Sequence, residues 1–235
     1  MTCLRFALAA FPQSDYFIYI TGQCYPLWPA NRIFSFFEQL QHNENMQCVP
    51  FGQLERWAGG LDWRINRYWY ELPFGRGSRV FPADYPLLSW KEKFWNQIAR
   101  LIFRMPKRPP VNTPPHGGCA YWALTPSTVR YLLHQARIRK DVRRFFKTAH
   151  DSDEMYFHTL LATGRDFSGT ITWRPMHYQY WSTTSHPDIL TLSDAPALQD
   201  AAKTFPLARK FDMEKHADIL DWIDQHLLEG NKQPN

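Results

Sequence analysis

No stretch of this 235-residue chain stays apolar for the roughly eighteen residues that a membrane-spanning helix requires. The opening "MTCLRFALAAFPQS" has an apolar run too short, and lacks the flanks, for a secretory signal, so a soluble chain is expected. Cysteine is scarce: Cys3, Cys24, Cys48 and Cys119 are widely spaced and form no CxxC, which signals neither a zinc site nor a disulfide framework and reads as four reduced thiols. Acidic residues are in the minority, 22 against 27 Lys plus Arg, and the net charge of +5 favours an anionic ligand or partner. Internal repeats and low-complexity tracts are absent.

Apolar and aromatic side chains are plentiful. A hydrophobic content of 44% supports one substantial core. Ten Trp and eleven Tyr exceed what that core needs. Both residues carry a polar edge and settle at half-buried surfaces, where sugar faces and nucleic-acid bases can stack.

Strand and helix patterns alternate along the chain, which predicts a layered α/β fold. "SDYFIYITGQCYPLW" reads as a buried strand over 16–21 that Gly22 stops, and Ile33, Phe36, Phe37 and Leu40 recur at helical spacing after Pro29. "QCVPF", "RYWYELP" and "SRVF" are short strand candidates, and "SWKEKFWNQIARLIF" restores a helical pattern. The proline-rich "RMPKRPPVNTPPHGG" must be a loop. "CAYWALT" and "PSTVRYLLHQAR" predict a strand and a helix, and a helix over 154–163 follows the basic "RIRKDVRRFF". "TITWRP" and "HYQYWS" predict strands, and "SDAPALQDAAK" a short helix. "MEKHADILDWIDQHLLEG" predicts a last helix with Ile219, Trp222, Ile223 and Leu227 inward, ended by Gly230.

The segment "HDSDEMYFHTL" draws three readings. Asp151 and Glu154 stand three apart, the spacing of a capping box. "DSD", or His150, Glu154 and His158 at i, i+4 and i+8, could hold a metal, although the DxD of nucleotide-sugar transferases usually closes a strand and this one opens a helix. Glu154 at the rim of the helix's apolar side could instead serve as a general base, because partial desolvation raises a carboxylate's proton affinity.

Taken in order, "DYFIYITGQCYPLW", "GGCAYWALTPSTVRYLL", "DSDEMYFHTLL", "HYQYWS", "SHPDILTLSDAPAL" and "FPLARKFD" resemble glycosyltransferase family 14, in a bacterial-type form. This is the family of the core-2/I-branching β-1,6-N-acetylglucosaminyltransferases and peptide O-xylosyltransferases. The resemblance implies an incomplete GT-A-type, Rossmann-like layered fold, its mostly parallel central sheet flanked by helices. It implies one domain over 1–235, with 1–50 the remainder of a nucleotide-binding half and 51–235 the acceptor and catalytic half. The implied activity is inverting transfer of N-acetylglucosamine or xylose from a UDP-sugar to a hydroxyl of a glycan, glycolipid or protein, with no metal or other cofactor and no nucleic acid. Family members in animals are Golgi membrane proteins; for a bacterial member the expectation is a cytoplasmic or peripheral membrane location.

By the same resemblance Glu154 is the general base, and Lys210, Arg209 and His186 face the donor diphosphate. Tyr178, Tyr180 and Trp181 hold the acceptor, with the two tyrosines on one strand face and Trp181 on the other. Three departures stand out. Cys24 replaces a usual Asp, and Cys119 sits where "GGS" is common. The chain also begins close to a motif that relatives precede with further nucleotide-binding units, so weak binding of UDP-sugar by this chain alone is expected. A non-catalytic carbohydrate-binding member is therefore the alternative function. A nucleic-acid binder, suggested by charge and aromatics, ranks last because the basic residues are scattered outside "RIRKDVRR".

Overall fold

Proline stands at the start of three helices, where its fixed φ suits the first turn and its missing N–H costs nothing. A computed structural model describes residues 1–53, 64–71, 78–81, 90–91, 93–94, 97–98, 112–182 and 186–229. The first half of the chain contributes α1 (Thr2–Ala10), β1 (Phe17–Ile18), β2 (Tyr25–Pro26), α2 (Ala30–Glu38), β3 (Glu44–Asn45), β4 (Val49–Pro50), β5 (Tyr68–Glu71), β6 (Ser78–Phe81) and β7 (His116–Gly117). The second contributes β8 (Ala123–Leu124), α3 (Pro126–Ile138), α4 (Lys140–Phe146), α5 (Tyr156–Ala162), β9 (Ile171–Thr172), β10 (His177–Gln179), α6 (Ala195–Ala201), β11 (Leu207–Arg209) and α7 (Asp218–Ile223).

Helical spacing of apolar residues reads true. Phe36 and Leu40 are buried beside α2, while Ile33 and Phe37 are half-buried. α3 buries Val129, Leu132 and Ala136, and α4 buries Val142 and Phe146. α6 follows a 3-10 turn, Leu192–Asp194, closed by a capping box between Thr191 and Asp194. α7 buries Ile219, Leu220 and Ile223 and runs on as a π turn, Asp224–Leu228, that buries Leu227; Trp222 is half-buried. Helix α1 is not announced by the sequence pattern, and it buries no residue. Most of the helix expected over 89–103, most of the proline-rich loop, and Gly230 lie outside the described residues. Among the described residues no helix is long and apolar enough to cross a membrane.

The chain divides into two compact units, each assembled from separate segments. The first comprises Met1–Ala9, Gln47–Ala120 and Ser127–Ser168. In it β4 and β7 pair antiparallel, Val49 with Gly117 and Pro50 with His116, and β5 and β6 form an antiparallel hairpin. α5 packs on β7 and α4, around Phe146, Met155, Leu160 and Leu161.

The second unit comprises Ala10–Met46, Tyr121–Pro126 and Gly169–Asn235. It holds a four-stranded sheet in the order β1-β8-β3-β9 and a three-stranded sheet in the order β10-β11-β2. The α/β class holds. In place of a mostly parallel sheet, however, the described strands pair in both senses, parallel at β3–β9 and β10–β11 and antiparallel elsewhere. Parallel neighbours need a crossover to bring the chain back in the same direction, and α6 supplies one between β10 and β11. The strand expected over 16–21 is also shorter. After Ile18 only the Tyr19 amide continues the pairing, to the Trp122 carbonyl (2.9 Å), and Ile18, Tyr19 and Ile20 are 39%, 38% and 50% exposed. An edge strand leaves an apolar run half in solvent, so the run alone does not imply burial.

Several buried polar groups of the second unit are paired. The Glu44 carboxylate, 2% exposed, accepts from the Thr125 amide (2.8 Å) and hydroxyl (2.7 Å). Asn45 pairs its amide with both backbone groups of Arg174, extending the β3–β9 ladder through a side chain. Arg32 lies over the Trp28 ring at 3.9 Å and donates to the carbonyls of Ala202 and Lys203 just past α6, where a cation meets the negative end of the helix. Thr125→Val keeps the side-chain shape but removes one donor from the buried Glu44. It is expected to lower stability by about 1–3 kcal/mol, read from urea unfolding.

Candidate active site

Glu154 lies in the first unit, and a close backbone approach sets its place. A Cβ built on Gly118 would fall 1.9 Å from the Gln47 carbonyl oxygen, so only glycine fits between loop 116–119 and residue 47. The Gln47 side chain accepts from the Cys119 amide (3.0 Å) on the same side. With the loop held there, the Gly118 amide donates to the Glu154 carbonyl (3.0 Å). The Thr159 hydroxyl accepts from the His116 amide (3.0 Å) and donates to the His116 carbonyl (3.1 Å). His158 Nε2 bonds the Cys119 carbonyl (3.2 Å), and a carbonyl only accepts, so this nitrogen carries the proton. Residues 154, 158 and 159 are thus stapled to 118, 119 and 116.

His158 is fully buried. Burial drives its pKa down to about 3; the Cys119 carbonyl opposes this and His116 adds to it, so the imidazole is neutral. The Cys48 thiol, near the His158 carbonyl, is pushed up to about 11 by burial and stays protonated. Sequence spacing drew attention to His158 as a metal ligand beside His150. The structure gives both histidines other partners, and among the described residues no group of three His, Cys, Asp or Glu could hold a metal ion.

The expected capping box at Asp151 and Glu154 does not form. Asp151 adopts the left-handed conformation (φ 47°) and makes no side-chain cap bond; a 3-10 turn, Ser152–Glu154, precedes α5, and the Glu154 amide bonds the Asp151 carbonyl (3.0 Å). The Asp151 carboxylate turns instead to Arg64 (Nε 3.2 Å, second guanidinium nitrogen 3.1 Å) and to His150 Nδ1 (2.7 Å), whose ring packs on Trp69. Charged partners outcompete a backbone amide. Burial alone would raise the Asp151 pKa, but the His150 hydrogen bond and the His150 and Arg64 charges outweigh it and hold the carboxyl below its usual range. Asp151 is thus a structural anchor at the entry to the turn that carries Glu154. Asp153 is exposed and Glu154 half-buried.

The other expected site residues belong to the second unit. Tyr178 packs against Phe205 from β10, while Tyr180 and Trp181 are 50% and 47% exposed just beyond that strand. The Trp181 indole donates to Gln179 Oε1 (3.2 Å), so Trp181 is on the Gln179 face and Tyr178 on the other, as strand alternation predicts. Arg209 ends β11 with its guanidinium 4.9 Å from the Tyr121 ring centre, and Lys210 follows across a cis peptide bond, half-buried. Segment 188–190 holds this end of the sheet: Asp188 bonds the backbone of Tyr180 and, through its carboxylate, the Ser182 amide (2.7 Å), while Leu190 donates to the Lys210 carbonyl (2.8 Å). His186 is exposed beside the buried Pro187. Sequence reasoning missed Tyr121 and Asp188. The only signal for Asp188 is its place two residues past His186.

A family model described as Core-2/I-Branching enzyme matches residues 75–198, just over half of the chain. Two curated relatives, beta-glucuronosyltransferases GlcAT14A and GlcAT14B of Arabidopsis thaliana, are each 26% identical over 217 residues. The match covers 91% of this chain but only 43% and 44% of the relatives' own lengths.

Two outcomes follow from this geometry. Gly118→Ala is expected to lose more than about 2 kcal/mol in urea unfolding, because backbone must move to admit the methyl. Gly52→Ala, with open space around it, stays within about 0.5 kcal/mol of the parent. His158 also makes stability pH-dependent. Below pH 6.5 the unfolded chain takes up a proton that the folded chain refuses, so stability present above pH 6.5 is lost as pH falls towards 3. His158→Gln, which can still donate to Cys119, is expected to flatten that slope by up to about 1.4 kcal/mol per pH unit, measured by urea unfolding at stepped pH.

Proposed function

Because the chain belongs to the Core-2/I-Branching enzyme family, we propose that it serves as an inverting glycosyltransferase, moving a sugar from a UDP-sugar to an acceptor hydroxyl without a bound metal. The observation that carries this reading is the stapling of the 154–159 segment to loop 116–119, which fixes the backbone of the one carboxylate that the family pattern marks as a base. Glu154 takes the proton of the acceptor hydroxyl as its oxygen attacks the anomeric carbon. The bond from that carbon to the diphosphate breaks, and UDP leaves with the electron pair. Lys210 and Arg209 offset the charge that develops on the diphosphate, and fixed cations serve this purpose because their field is already in place when the charge appears. His186 is the third member of the set.

Tyr178, Tyr180 and Trp181 are assigned to the acceptor. The exposure of Tyr180 and Trp181 supports ring stacking there, whereas Tyr178 is engaged by Phe205. The relatives are named as glucuronosyltransferases, so glucuronic acid joins N-acetylglucosamine and xylose as a donor sugar to test.

With each of the three UDP-sugars and a panel of glycan acceptors, Glu154→Gln is expected to lower turnover by about 10²–10⁴-fold with glycan binding intact. Lys210→Ala is expected to lower it by about 10²-fold. A Glu154→Gln variant as active as the parent would remove the assignment of the base. A parent chain that binds glycans but turns over none of the donors would identify a carbohydrate-binding member instead.

A further inference from the structure

Among the described residues, His177 and Arg209 of the second unit carry buried side-chain nitrogens without hydrogen-bond partners, on one shared face. β10 and β11 pair in parallel, His177 opposite Leu207 and Gln179 opposite Arg209. Side chains alternate along a strand and in-register neighbours share a face, so His177, Gln179 and Arg209 stand on one side of the sheet and Tyr178 and Ala208 on the other. Tyr121 lies against two of the first set, His177 and Arg209: its ring centre is 4.2 Å from that of His177 and 4.9 Å from the Arg209 guanidinium carbon. His177 is 9% exposed, and among the described residues neither of its ring nitrogens has a partner; nor does the buried Nε of Arg209. Burial, with the Arg209 charge adding to it, pushes the His177 pKa down to about 4, so the ring is neutral and carries one N–H.

Buried polar atoms without partners are rare in folded proteins and call for a missing partner. The contrast within the second unit is direct, because buried Glu44 and Asn45 are paired there. A group beside His177 and Arg209 can accept from the one N–H of the neutral imidazole and from the guanidinium, whose charge favours an anion. We propose that His177 and Arg209, packed on Tyr121, bind an oxyanion of the donor substrate, either its diphosphate or a carboxylate on its sugar. This rests on the glycosyltransferase reading and adds two residues, His177 and Tyr121, to the donor side.

The test separates ligand binding from folding. His177→Phe keeps a ring of similar size and removes both unpartnered nitrogens, so its thermal midpoint is expected to equal or exceed the parent's, whereas a histidine kept for structure would lower it. Calorimetric titration with UDP, UDP-glucuronic acid and UDP-N-acetylglucosamine reads the binding. A loss of about tenfold or more for all three assigns the His177–Arg209 pair to the diphosphate, and a loss confined to UDP-glucuronic acid assigns it to a sugar carboxylate. Arg209→Gln is expected to show the same pattern and carries the test should His177→Phe fail to fold. If both variants bind all three nucleotides as tightly as the parent, or if the parent binds none of them, the inference is overturned. Binding that depends on His177 in a chain that transfers no sugar would keep this oxyanion site and sink the transferase reading.

Discussion

Between Gly118 and the carbonyl of Gln47 there is no room for a methyl group, and the place of Glu154 follows from that contact. Loop 116–119 can lie against residue 47 only because position 118 has no side chain. Lying there, it turns the Gly118 amide towards the Glu154 carbonyl and presents the His116 and Cys119 backbone to Thr159 and His158. The short turn before α5 is thereby held from one side by a loop and from the other by the Asp151–Arg64 pair. Fixing the backbone at both flanks limits the freedom of the Glu154 side chain, as the role proposed for it requires.

The buried polar groups divide into two kinds. Glu44 and Asn45 each reach backbone or side-chain partners and hold segments together, so their desolvation is offset inside the fold. His177 and the Nε of Arg209 are not offset in this way. Paired groups belong to the architecture; unpaired ones are where a ligand can repay a penalty the fold has left open.

Much of the architecture is legible in the linear pattern. Helices α2, α3, α6 and α7 follow from apolar spacing with proline at three of the starts, because a 3.6-residue period is a local property that little else imitates. The short strands Val49–Pro50, Tyr68–Glu71 and Ser78–Phe81 fall inside the segments that read as strands. Strand length and pairing sense were not legible. "DYFIYIT" forms two residues of an edge strand, and β3 finds its parallel partner β9 well over a hundred residues away, a pairing no local pattern encodes.

Residue identities and spacing determined the α/β class, the motifs and the alternation that separates Tyr178 from Trp181, while Glu154, Lys210, Arg209, His186, Tyr178, Tyr180 and Trp181 came forward as expected site residues through the resemblance those motifs carry. Tertiary structure decided the rest. It took Asp151 from a helix cap and gave it to Arg64 and His150, because charged partners brought in from residue 64 outcompete an amide. It turned His158 from a candidate ligand into a neutral donor to Cys119, because full burial forbids the charged form. It also placed His177 and Tyr121 beside Arg209, since strand pairing and burial join residues that the linear order keeps apart.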